Sequence, residues 1–290
     1  MIKKMFFSVL ALSVIVTSCS SDDDNTTSPP VNSPLTLNLS GLEDLGNDFV
    51  YEGWIIVDGA PVSTGIFSSV TFPQTFSVNT SQLNRATTFV LSIEPANDLD
   101  PAPADTKVLA GDFSGNLANV NTGIVGDFSN ASGAFFLRTP TDETGVNNGN
   151  DENGVWFGTP GMPPVPNFNL PTLPAGWAYE GWVVGDSGPL TTGTFNMFDM
   201  VDDAAPFSET IQPGPPVPGE DFFLNAPTGE TFPLDVRNRT VVISVEPVPD
   251  NSPAPFAMKP LVGTAGTATA PAVHDFGQNL GSLPSGSVSR

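Results

Sequence analysis

Four glutamates stand where paired carboxylates could carry out chemistry. Glu52 lies in Tyr51-Glu52-Gly53-Trp54 and Glu94 precedes Pro95. Glu180 lies in Tyr179-Glu180-Gly181-Trp182 and Glu246 precedes Pro247. Glycoside hydrolysis needs two carboxyl groups about 5–10 Å apart, one to protonate the leaving oxygen and one to attack or to activate water. Each pair is a candidate on residue type alone. The same residues have a structural use. A glutamate on a covered strand accepts hydrogen bonds from amides or an indole, and a glutamate before proline closes a strand. Both glutamates recur, which fits the structural use at least as well, so the expectation is a protein without catalytic residues.

Other chemistry is limited by count. His274 is the only histidine and Cys19 the only cysteine, so a Cys–His pair or a multi-histidine metal site is not available. A Ser–His–Asp triad would have to use His274, and no Gly-x-Ser-x-Gly elbow is present. Calcium, which takes oxygen ligands, is the one metal the composition permits. Its candidate loops are residues 142–154, Asp98 with Asp100, and Asp199 with Asp202 and Asp203. None has the Asp-x-Asp-x-Asp-Gly spacing, so no metal and no cofactor is expected. Among the tryptophans, Trp54 and Trp182 read as core anchors, while Trp156 and Trp177 are the better candidates for a surface that stacks on sugar.

The start of the chain sets the expected location. Met1-Ile2-Lys3-Lys4 is basic, and Met5 to Val16 is apolar. As a helix that run is roughly 18 Å long, against about 30 Å of bilayer hydrocarbon, so it reads as a signal-peptide core. Val16-Thr17-Ser18-Cys19 resembles the bacterial lipobox, which makes Cys19 the lipidated residue. Two or three acyl chains, at about 0.8 kcal/mol per buried methylene, would hold the protein in a membrane. Asp22-Asp23-Asp24 begins an acidic tether and resembles the export signal of some surface-exposed Gram-negative lipoproteins. The expected location is the outer membrane, facing the cell surface.

The formal net charge is −22, and removing a leader with Lys3 and Lys4 makes it more negative by two. Such a surface repels nucleic acid, which is set aside as a partner. The partners left are the membrane, through the lipid, and an envelope protein or a glycan. Hydrophobic residues make up 39%, enough for a core. Gly 28 and Pro 30 punctuate the chain too often for long helices and point to short strands joined by turns.

The elements that must position these residues come in two similar sets. Thr64-Gly65 and Phe67 follow the first motif at the same spacing as Thr192-Gly193 and Phe195 follow the second. Val90-Leu91-Ser92-Ile93-Glu94-Pro95 recurs as Val242-Ile243-Ser244-Val245-Glu246-Pro247. Asp98, Pro101-Ala102-Pro103 and Lys107 recur as Asp250, Pro253-Ala254-Pro255 and Lys259. The order is kept and only one gap lengthens, so the chain reads as a duplicated module.

Leu35, Leu37 and Leu39 alternate with polar residues, as on a half-buried strand. Val50 to Val57 is apolar on both faces and predicts a central strand, closed by an Asp58-Gly59 turn. Thr88 to Glu94, Ala134 to Arg138 and Val155 to Gly158 are further strands. The expected division is a leader (1–18), a tether (19–34), a first module (35–165), and a second (166–290) with a Pro-rich insertion near 198–221. The expected fold class is all-β, with two related sandwich or barrel-like modules of short, mostly antiparallel strands.

The motif order, Tyr-Glu-Gly-Trp, Thr-Gly-x-Phe, a hydrophobic strand ending in Glu-Pro, then Pro-Ala-Pro, is similar to the C-terminal domain of the anti-sigma-K factor (RskA) family, in two copies. In that family the domain is the extracytoplasmic part of a membrane-spanning regulator. The resemblance implies a folded module that binds, senses or has a structural role outside the cytoplasm. A lipoprotein leader stands where that family has its sigma-binding segment and transmembrane helix, so sigma-factor inhibition itself is not carried over. The rival expectations are a glycan-acting hydrolase using the paired glutamates and a calcium-stabilised adhesin.

Overall fold

The structure is a computed structural model that describes residues 31–142, 148–250 and 252–290. The leader, Cys19 and the tether up to Pro30 lie outside the described residues, as do 143–147 of the acidic loop. Among the described residues, no helix is long and apolar enough to cross a membrane.

The fold is almost entirely β, and its strands pair antiparallel. The first eight-stranded sheet uses β1 (Asn32–Ser40), β2 (Phe49–Val57), β3 (Ala60–Phe67), β4 (Gln74–Asn79), β5 (Thr88–Pro95), β6 (Lys107–Ser114), β7 (Leu117–Asn121) and β17 (Ser285–Ser289). Their order is β3-β2-β5-β6-β7-β17-β1-β4. β3 returns beside β4, so this sheet is nearly a closed barrel. A one-and-a-half-turn helix, α1 (Thr80–Arg85), follows β4; Asn79 caps it by accepting from the Gln82 amide at 3.1 Å.

The remaining strands are β8 (Ala134–Phe136), β9 (Gly154–Phe157), β10 (Trp177–Val184), β11 (Pro189–Phe195), β12 (Gly219–Asp221), β13 (Thr240–Pro247), β14 (Leu261–Thr264), β15 (His274–Asp275) and β16 (Gly277–Gln278). They form a five-stranded sheet, β11-β10-β13-β14-β16, and a four-stranded sheet, β12-β9-β8-β15. β11 also lies beside β12 and β14 beside β15. Taking β15 and β16 as one interrupted strand, the second circuit has the same order as the first.

Local sequence explains the main elements. Leu35, Leu37 and Leu39 all point into the core. Asp58 and Gly59 both take positive φ (53° and 81°), the primed turn that matches strand twist in the β2–β3 hairpin. β2 and β10 are bulged at equivalent places, between Gly53 and Trp54 and between Gly181 and Trp182.

The sheets do not divide at residue 165. β17, the last strand of the chain, sits between β7 and β1 of the first sheet. β8, the strand that follows β7, pairs instead with β9 and β15. The second set of strands begins at β9 (Gly154–Phe157), before residue 165, and counted from there each set takes one strand from the other, β17 into the first and β8 into the second. One hydrophobic cluster runs from Leu35 to Val288, and residues 31–290 form a single compact unit. The extra length of the second half lies in the connections on either side of β12, between β11 and β13, and β12 itself takes the place of β4.

Candidate functional site

The recurring letters build the same hydrogen-bonded corner twice. Trp54 Nε1 donates to Ser92 Oγ at 2.8 Å, and Trp182 Nε1 donates to Ser244 Oγ at 2.8 Å. Each serine hydroxyl donates to the glutamate two residues on, Glu94 or Glu246. Each glutamate also accepts a backbone amide from the following loop, Ala104 to Glu94 and Phe256 to Glu246, both at 2.9 Å. Lys107 Nζ donates to the Ala104 carbonyl, and Lys259 Nζ to the Phe256 carbonyl. The tyrosines match as well: Tyr51 donates to the Glu43 carbonyl and Tyr179 to the Pro171 carbonyl.

The glycine between glutamate and tryptophan is required by space. A Cβ on Gly53 would stand 2.5 Å from Thr64 Oγ1 and 3.2 Å from the Phe89 ring. On Gly181 it would run into both Thr192 Oγ1 and the Phe157 ring. Close packing of this kind has no slack for a methyl group.

Glu52 and Glu180 accept from Ser63 and Thr191 on the neighbouring strand. Glu94, Glu180 and Glu246 are buried, while Glu52 is half-buried. Burial pushes Glu180 up to about 7, against the Thr191 hydrogen bond; Asp250 and Asp203 add to the rise. Glu246 is pushed up to about 8 by burial, with Glu180 and Asp250 again contributing. One carboxylate oxygen from each of Glu180, Glu246 and Asp250 lies within 4.8 Å of the others.

A cleft of about 600 Å³ opens where the Glu-Pro ends of the two halves meet. Pro95 and Pro247 line it, with Phe49 and Phe256 as apolar wall. Its carboxylates are Glu43, Asp44, Asp48, Asp105 and Asp250, contributed by loops of both halves. Burial raises Glu43 to about 7, opposed by Lys259 and the Ala257 amide. Lys259 itself is lowered, first by burial, with Glu43 and Glu246 acting against that.

Other sequence candidates fall elsewhere. His274 is tied to its own loop, with Nδ1 accepting from the Gly266 amide at 3.2 Å and Nε2 2.9 Å from the Ala268 carbonyl. Asp98 and Asp100 accept from the amides two residues on, at 2.9 and 3.0 Å. Asp202 accepts from the Gly219 amide and Asp203 from Thr194, so these carboxylates close loops. Asp142 accepts from Asn148 and Asn150.

The expectation of a sugar platform on Trp156 and Trp177 is corrected: both are buried. Trp156 packs on Phe136 and Val217 and donates to Asp221 Oδ1 at 2.8 Å, while Trp177 packs on Phe256. Sequence reasoning missed the buried pair Glu220 and Asp221 on β12. Burial raises Glu220 to about 8 and Asp221 to about 7, although hydrogen bonds from Ser208 and Thr141 oppose it. Pro213, Pro215, Pro216 and Pro218 just before it, and several acids nearby, make this stretch read as a solvated loop.

No curated protein and no solved structure matches this chain. The family described as anti-sigma-K factor rskA, C-terminal, matches residues 26–108, which span β1 to β5 with the first Tyr-Glu-Gly-Trp and Glu-Pro motifs, so this stretch is similar to that domain.

Proposed function

We propose that this chain is a non-enzymatic lipoprotein of the outer membrane, held by a lipidated Cys19 and exposed at the cell surface. It presents two tandem modules of the anti-sigma-K-factor C-terminal type for binding or sensing. The matched description points to regulation of the anti-sigma-factor kind, and this chain would supply its extracytoplasmic sensing part. The equivalent hydrogen bonds around Trp54 and Trp182 support a second copy beyond the matched residues. Burial and in-strand bonding of Glu94, Glu180 and Glu246 support a structural role over a hydrolase.

The observation that carries this reading is the acidic cleft between the two Glu-Pro ends. Its wall suits a positively charged extracytoplasmic ligand, such as a basic segment of an envelope protein. A photo-crosslinking residue at Asn47 in the cleft, in whole cells, should capture such a partner, and one at exposed Ile66 should not. Equal labelling at both positions would overturn the binding role. Retention of Cys19→Ser in the membrane fraction would overturn the anchor.

A further inference from the structure

We infer that Glu180, Glu246 and Asp250 form a calcium site specific to the second half of the chain. The donor set is oxygen only, with no cysteine or histidine in the group, which selects a hard cation. Ligands on one calcium, each at about 2.3–2.6 Å, spread over up to about 5 Å, and these three oxygens all lie within 4.8 Å of one another. Glu180 supplies an independent sign of a missing ligand. Its residue is only 5% exposed, its Oε1 takes the Thr191 hydroxyl, and its Oε2 is buried with no hydrogen-bond partner. A buried carboxylate oxygen left without a donor is costly, and a cation between the three groups would satisfy it.

Asp250 is exposed and lines the cleft, so it gives the ion a way in and leaves room for water to complete six to eight oxygens. The other bonds of the group hold the ligands in place. Ser244 and the Phe256 amide fix Glu246, and the Ser252 amide fixes Asp250.

The first half has the same letters at Glu52, Glu94 and Asp98, and Glu94 Oε2 is likewise buried without a partner. Yet among the described residues those three carboxylates form no group of this spacing. Glu52 is half-buried and Asp98 exposed. The first half therefore serves as an internal control.

The test uses the full chain in detergent, stripped with chelator. Terbium luminescence excited through tryptophan reads the site, since Trp182 reaches Glu246 through Ser244. The expected result is one terbium per chain, displaced by calcium, and a melting temperature that rises when calcium is added. Glu180→Gln and Asp250→Asn should both abolish the calcium-dependent rise, and Asp98→Asn should keep it. Asp250 is exposed, so its variant remains informative if Glu180→Gln fails to fold. Absence of terbium emission and of a calcium-dependent melting shift in the unaltered chain would overturn the site, as would loss of binding in Asp98→Asn with retention in Asp250→Asn.

Discussion

Glu94 and Glu246 occupy equivalent places, each accepting a hydroxyl from the serine two residues before it and an amide from ten residues after it. The serine in turn accepts the indole N–H of the tryptophan on the adjacent strand. Tryptophan, serine and glutamate thus form a buried chain of donors and acceptors, and removing its middle member leaves the indole unpaired. Ser92→Ala and Ser244→Ala should each cost about 1–3 kcal/mol, the penalty for a buried donor without an acceptor. Urea denaturation measures it. A cost near zero at either position would mean the chain is not structural there.

Gly53→Ala should destabilise by about 1–3 kcal/mol, because the new methyl enters the space of Thr64 Oγ1. Thr64→Ala removes that atom, so the double variant should recover part of the loss. Gly181→Ala should behave differently. There the Phe157 ring also blocks the methyl, and Thr192→Ala should not rescue it. Double-mutant cycles at the two positions would separate the cases. Equal rescue at both would contradict the packing described.

Much of the first sheet was legible because its signals are local. The alternation of Leu35, Leu37 and Leu39, the Asp58-Gly59 turn and the Glu94-Pro95 strand end each depend on neighbouring residues. The partner of β17 was not legible. Ser285 to Ser289 carries one large apolar residue, Val288, and its place between β7 and β1 is set by pairing with segments far away in sequence. The burial of Trp156 was not legible for a related reason. Its polar partner Asp221 comes from the end of β12, far along the sequence, and nothing near Trp156 announces it. The four glutamates were legible as residues that matter, while the grouping of Glu180, Glu246 and Asp250 needed the loop after Pro247 to fold back.

Stability should fall as pH rises from about 4.5 to 8 when divalent cations are absent. Burial holds Glu180 and Asp221 up at about 7 and Glu246, Glu220 and Asp202 up at about 8. An unfolded carboxyl titrates near its ordinary value of about 4. Across that window the folded protein keeps protons that the unfolded chain has released, so the slope of stability against pH is negative. The contribution is complete below the unfolded values and gone above about 8. Urea midpoints at pH 5.5 and pH 8, with chelator present, check this. A higher midpoint at pH 8 would show that these carboxylates are paired rather than desolvated.

Truncation after Leu283 should loosen the far end of the chain in sequence. It removes β17, which fills the gap between β7 and β1, and exposes the unpaired edges of both. It also removes Arg290, whose guanidinium donates to the Ala86 carbonyl at 2.7 Å and the Gly115 carbonyl at 3.0 Å and lies 4.2 Å over the Phe113 ring. Hydrogen exchange should therefore speed up in residues 32–40 and 117–121, with β10 and β13 affected less. Arg290→Ala keeps the strand and should give a smaller change, because the cation over the ring contributes about 0.5–2 kcal/mol. If exchange rises only near the new C-terminus, β17 does not complete the first sheet in solution. If it rises in β1 and β7 as expected, a fragment ending near residue 165 should be equally open at those strands, and adding back a peptide of residues 284–290 should restore protection there.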